Sequence, residues 1–94
     1  MNLKHRVLLL LYKYPGIRLP ELKLWLPDVK CEVVKAELIR LYREGLIDKT
    51  GKRGSFHYKL SEIGRQYIEH EYLKHRFYEL KIINNLLFAD VGVM

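Results

Sequence analysis

The residues that break helices and strands crowd the start of this chain and are scarce in the rest, and their placement limits what it can build. Pro15-Gly16, Pro20, Pro27-Asp28, Gly45 and the Gly51/Gly54 pair cut the first sixty residues into short pieces, whereas no proline follows Pro27. Leu3, Val7, Leu10 or Leu11 and Tyr14 recur at helical spacing, and Pro15-Gly16 stops the first helix. Ile17-Arg18-Leu19 is expected to be short and extended, because the residue before Pro20 is pushed away from helical angles. Pro20 itself suits the first turn of a second helix, where its missing N–H costs nothing. Leu22, Trp25 and Leu26 form that helix's expected inward face, and Pro27-Asp28 ends it.

A third helix is expected from about Val29 to Glu44, with Asp28 accepting hydrogen bonds from its free N–H groups and Gly45 ending it. Val34, Leu38 and Leu41 make its buried stripe. The opposite side carries Glu32, Ala36, Ile39, Arg40 and Arg43, with Lys35 on one flank. Leu46 to Lys49 and Phe56 to Leu60 read as two strands of a hairpin, whose loop holds Lys52 and Arg53 between two glycines. Phe56, Tyr58 and Leu60 share one face of the second strand. Ser61 is a good N-cap for a fourth helix. If unbroken to Phe88, it would be roughly 40 Å long at 1.5 Å per residue. Leu73, Phe77, Leu80, Asn84 and Leu87 follow alternating spacings of four and three, and the same register extends backward through His70, Gln66 and Ile63.

Charge divides the chain as sharply as the breakers do. Residues 1 to 60 hold thirteen Lys or Arg against six acids, a net +7, while residues 61 to 94 hold four against five, a net −1. Such asymmetry points to a polyanion-facing part joined to a part with another task. With 94 residues and 49% hydrophobic content, the chain suits one globular domain. Residues 1–60 are expected to form its core and 61–94 a long C-terminal helix and tail for dimerisation.

Cys31 is the only cysteine, which rules out an intramolecular disulfide and any four-cysteine zinc site. The expectation is a fold that needs no metal, disulfide or cofactor, in a reducing cytoplasmic setting. The apolar run Val7 to Tyr12 is too short for a signal peptide and the tail Ile82 to Met94 too short for a bilayer span, so no membrane partner is expected. His70 and His75 diverge on a helix and make a poor metal pair. A redox role for Cys31 and a small-ligand pocket lined by tyrosines 67, 72 and 78 are each outweighed by plain packing, so an effector is possible but not indicated. No nucleophile triad, phosphate loop, dinucleotide fingerprint or paired-carboxylate motif appears, and no enzyme activity is expected.

Two short motifs carry a family resemblance. Glu44-Gly45-Leu46-Ile47 resembles the EGLI that closes the third helix and opens the wing of winged helix-turn-helix proteins. Tyr58-Lys59-Leu60-Ser61-Glu62-Ile63-Gly64 resembles the Y-x-L-T-x-x-G that closes the wing and opens the next helix. Both occur in transcription regulators of the MarR and PadR type and in small archaeal and viral relatives, and the resemblance covers Leu3 to about Tyr72. It implies an α+β, mainly helical fold, with Lys30 to Arg43 as recognition helix and Lys52 with Arg53 as wing tip. The third helix departs from the family in offering Lys30, Cys31, Glu32 and Val33 where Ser, Thr, Gln and Arg often cluster.

Double-stranded DNA is therefore the expected partner, together with a second copy of the chain. Basic side chains that neutralise phosphates supply most non-specific affinity, and Lys30, Lys35, Arg40, Arg43, Lys52 and Arg53 are the candidates. Arg40 and Lys35 have the donors to read guanine, Glu32 can accept from cytosine, and Ala36 lies between them on the helix. Lys52 and Arg53 suit the backbone or minor groove. Leu73, Phe77, Leu80, Asn84 and Leu87 are the candidate dimer seam. The expected role is a homodimeric, nucleoid-associated transcription regulator, in the repressing sense. Its alternatives are a winged-helix protein-interaction module and a non-specific architectural DNA-binding protein.

Overall fold

Asn2 caps the first helix, α1 (Leu3–Lys13), by accepting a hydrogen bond from the His5 amide at 2.9 Å. The structure is a computed structural model and describes residues 2–73. After α1 come β1 (Ile17–Arg18), α2 (Leu19–Leu24), α3 (Cys31–Arg43), β2 (Ile47–Thr50), β3 (His57–Leu60) and α4 (Glu62–Ile68), which runs into a π-helical turn over Glu69–Leu73. No helix among the described residues is long and apolar enough to cross a membrane.

Five consecutive residues of α1, Val7 to Leu11, are buried, a wider stripe than the helical spacing of its sequence predicts. The cause is position: α3, α4 and β3 all contact α1, and a helix covered on several sides is apolar around most of its circumference. Ile17, Leu22, Leu26, Val34, Leu38, Leu41, Leu46, Ile47 and Ile68 complete the core. Leu22 and Leu26 face inward as expected, but Trp25 is 45% exposed. It sits at the end of α2 and stacks on Tyr14, with ring centroids 5.3 Å apart.

The sheet is antiparallel in the order β1-β3-β2, which puts the second hairpin strand in the centre. Ile17 pairs with Tyr58 and Arg18 with His57, while Ile47 pairs with Leu60 and Thr50 with His57. The two-residue β1 thus ties the wing back to the chain that enters α2. Tyr58 and Leu60 pack on the core and Phe56 is half-buried, so the expected inward face of the second strand is present.

The strongest local constraint lies where α3, the wing and α4 meet. Gly45, at φ +79°, ends α3, and the amides of Gly45 and Leu46 donate back to the carbonyls of Tyr42 and Leu41 at 3.0 Å each. This satisfies carbonyls that a helix end leaves open. Ser61 then donates from Oγ to the Gly45 carbonyl at 2.6 Å, accepts from the Gly64 amide at 2.9 Å, and donates its own amide to the Leu46 carbonyl at 3.0 Å. A Cβ built on Gly64 would lie 1.9 Å from the Leu46 carbonyl oxygen. The two sequence motifs are therefore the two halves of one junction.

The expected start of α3 is corrected. Asp28 does not cap α3: the helix begins later, at Cys31, and the residue at its N-cap is Lys30, which makes no side-chain cap. Asp28 instead forms a two-pronged ion pair with Arg6 of α1, both N–O distances being 2.9 Å. The fourth helix, whose continuity the sequence left open, passes from α-helical hydrogen bonding to the wider π turn at Glu69, which rotates the helix face out of its earlier register. Gly64 and Ile68 face the core, while Ile63 is 61% exposed and Gln66 and His70 are also exposed. The dimer seam from Leu73 to Leu87, and the course of the helix through Asn84-Asn85, lie outside the described side chains.

Gly64→Ala is expected to destabilise the fold by about 2 kcal/mol or more, the range for overpacking against unyielding backbone, read from the urea unfolding midpoint. Hydrogen bonding to Arg6 holds the Asp28 carboxyl down at about 2 from its ordinary 3.8. A carboxyl depressed in the folded state stabilises above its unfolded value and loses that contribution as pH falls towards the folded one. Asp28→Asn should therefore lower the melting temperature at pH 6, with the difference from wild type closing between pH 4 and 2.

Candidate nucleic-acid interface

Helix α3 turns Val34, Leu38 and Leu41 into the core and so presents the opposite side to solvent. At 100° per residue, Glu32, Ala36, Ile39, Arg40 and Arg43 share that side, and all five are exposed. Lys30 is exposed at the N-cap, and Lys35 is exposed on the flank towards the wing. Lys52 and Arg53 stand in the loop between β2 and β3, which is exposed from Gly51 to Ser55. The candidate DNA-contacting residues thus all reach the surface.

A groove of about 840 Å³ separates α3 from the wing and brings two of them together, Lys35 from the helix and Arg53 from the loop. Arg18 and Lys49 join them on its walls. Ile39, Leu19, Pro20, Phe56 and Tyr58 supply apolar surface. No acidic side chain lines it among the described residues. Four cations around an apolar floor favour a ligand that carries repeated negative charge and also has unsolvated faces, a description that fits a nucleic-acid strand.

Arg18, Ile39, Lys49 and Phe56 were not among the residues singled out from sequence for this role. Ile39 was legible, since it sits on the same helical side as Arg40. Arg18 was not, because only the pairing of β1 with β3 carries it to the wing. Lys49 reads as an ordinary strand lysine, yet its Nζ lies 4.5 Å from the ring centres of both Tyr42 on α3 and Phe56 on the wing. It bridges the two walls, each contact contributing roughly 0.5–1 kcal/mol at a partly exposed site.

The far flank of α3 holds a different arrangement. Glu37 is a buried acid, 6% exposed, and its Oε1 accepts from Nη2 of Arg40. Helical spacing places Glu37 on the buried side, three residues after Val34 and four before Leu41. Its burial was legible from that spacing, and what sets it apart is a carboxylate in a stripe of apolar residues.

The remaining chemical candidates have other surroundings. Cys31 is exposed at the first residue of α3. His5 meets the Tyr67 hydroxyl at 3.0 Å and its pKa is lowered, first by desolvation, while Lys4 lies 5.1 Å above the Tyr67 ring. Tyr67 thus seals the contact between α1 and α4. His57 pairs through Nδ1 with the Gly16 carbonyl at 3.0 Å. Tyr78 and His75 lie outside the described residues.

The architecture is the winged helix-turn-helix, and solved structures of MarR-family regulators share it. MarR of E. coli superposes with a TM-score of 0.70 at 21% identity, over 93% of this chain and 66% of that one. A mutant of the same regulator complexed with operator DNA gives 0.70 and 21%, over 93% and 64%. FabT of Streptococcus pneumoniae in complex with DNA gives 0.69 and 22%, over 89% and 61%. This chain spans just under two-thirds of the length of E. coli MarR. No family model and no curated protein sequence matches it.

Lys49→Met keeps the apolar stem and removes the charge between the two rings. It is expected to cost about 1 kcal/mol of stability, read by chemical denaturation.

Proposed function

We propose that the chain is a sequence-specific, double-stranded DNA-binding transcription regulator that acts as a homodimer and represses. Helix α3 enters the major groove, with Lys35, Arg40 and Glu32 at base edges, Ala36 allowing close approach, and Lys30 and Arg43 on phosphates. The wing tip, Lys52 and Arg53, anchors on the backbone or in the minor groove. The observation that carries this reading is the groove in which Lys35 of α3 and Arg53 of the wing face each other with Arg18 and Lys49 and without an acid among the described residues. The operator-bound MarR structure and the DNA-bound FabT structure support it by sharing the fold.

In this reading residues 1–60 are the DNA-binding core. Residues 61–94 supply the dimer contact through Leu73, Phe77, Leu80, Asn84 and Leu87. Two copies then place two recognition helices on successive major grooves of a pseudo-palindromic site. A nucleoid-associated, cytoplasmic location follows from that role.

Selection from a random duplex library at physiological salt tests the reading, and a two-fold motif is the expected enrichment. Enrichment without a motif would replace it with an architectural role, and no enrichment with a protein-interaction module. A monomer by size-exclusion chromatography with light scattering at micromolar concentration would remove the dimer. Lys52→Ala combined with Arg53→Ala should weaken binding evenly across sequences and lower the slope of log affinity against log salt by about 2, close to one for each phosphate no longer neutralised. An unchanged slope would take the wing out of the interface.

A further inference from the structure

We infer that Glu37 is a positioning residue that holds the Arg40 guanidinium in one orientation for reading a guanine, an inference that rests on the DNA-binding reading above. Glu37 and Arg40 lie one helical turn apart on α3 and differ greatly in exposure, the side chains being 6% and 60% accessible. Glu37 Oε1 is bound to Arg40 Nη2, and its Oε2 is buried with no hydrogen-bond partner among the described residues. A buried carboxylate with one oxygen already unsatisfied cannot release the one cation paired with it among the described residues without leaving an uncompensated charge inside the protein. Arg40 is therefore tethered at its Nη2 end whether or not DNA is present.

The tether changes what Arg40 is suited to. An untethered arginine on an exposed helix face sweeps many rotamers and settles on whichever phosphate is near. Here the planar fork is fixed at one corner, and its other N–H groups have no partner among the described residues. A rigid planar donor matches the two acceptors, O6 and N7, on the major-groove edge of guanine, and the ordering of the side chain is already complete before binding. Lys52 and Arg53 have no such acid among the described residues and remain suited to phosphate.

The experiment begins with the duplex selected by the full chain, and compares its affinity with that of the same duplex carrying each base change in turn. Absence of any preferred sequence in the wild type would defeat the DNA-reading hypothesis itself, before any variant is made. With a motif in hand, Arg40→Ala should relax preference at one guanine per half-site. Preference unrelaxed at every guanine overturns the role of Arg40 and of Glu37 with it.

Glu37→Gln keeps the shape and removes the charge that tethers. It should reduce discrimination at that guanine about tenfold, within the range for one bidentate contact, while affinity for unrelated duplex rises, because a negative charge has gone. The double variant should discriminate no worse than Arg40→Ala alone. Glu37→Asp, which retains the carboxylate, should restore part of the preference. Full discrimination by Glu37→Gln at wild-type stability, or a loss that adds to that of Arg40→Ala, would show Glu37 to be structural only. Arg40→Lys leaves the buried acid paired and keeps the charge. Its ammonium, once held by Glu37, has no second arm to offer the base, so guanine preference should weaken with an unchanged salt slope, and full wild-type preference would overturn the proposal even if Glu37→Gln fails to fold.

Discussion

The Ser61 hydroxyl is the point on which the arrangement of helix and wing depends. It bonds at once to the carbonyl that ends α3 and to an amide in the first turn of α4, while the Ser61 backbone holds Leu46 at the base of β2. Three elements that must keep fixed angles are thus joined within a few ångströms by groups that would otherwise need water. Gly64 is required by the same junction, because the approach of α4 to Leu46 leaves no room for a side chain. Packing of Leu46, Ile47 and Ile68 into the common core follows from that approach.

Elements whose cause is local were legible in the sequence, and those whose cause is distant were not. Pro15-Gly16, Gly45 and Ser61 act on their own neighbours, and each ends or begins an element where expected. Asp28 had two physically sound uses, as a cap or as an ion-pair partner. The guanidinium of Arg6, 22 residues away, decided between them. Trp25 has the spacing of an inward residue, but Leu22 and Leu26 occupy that space and Tyr14 offers a ring outside it. Arg18 joins the candidate interface through strand pairing, which no window of a few residues encodes, whereas Glu37 shares the helical stripe of Val34, Leu38 and Leu41 and its acidic side chain masked that placement. The exposed positions of α3 were readable because a single helical period fixes them.

Basic residues around α3 and the wing fall into distinct physical situations despite equal formal charge. Lys49 is held between aromatic rings, Arg40 is paired with a buried acid, and Arg6 is committed to Asp28. Lys52 and Arg53 stand in an exposed loop. Charge that is already engaged shapes the surface or orients a donor. Charge left in solvent attracts at longer range and is weakened by salt. A net charge of +6 therefore overstates the number of cations available to any one polyanion.

The wing tip contributes no side chain to the core from Gly51 to Ser55. Its closure depends on Gly51, where a Cβ would come within 2.9 Å of the Ser55 carbonyl, and on glycine geometry again at Gly54. Between those two points the Lys52 carbonyl closes the turn with the Ser55 amide, and the side chains of Lys52 and Arg53 are exposed. Mutation there can be sampled at little risk to folding, so a lineage carrying this domain can retune its grip on a partner while the scaffold drifts slowly.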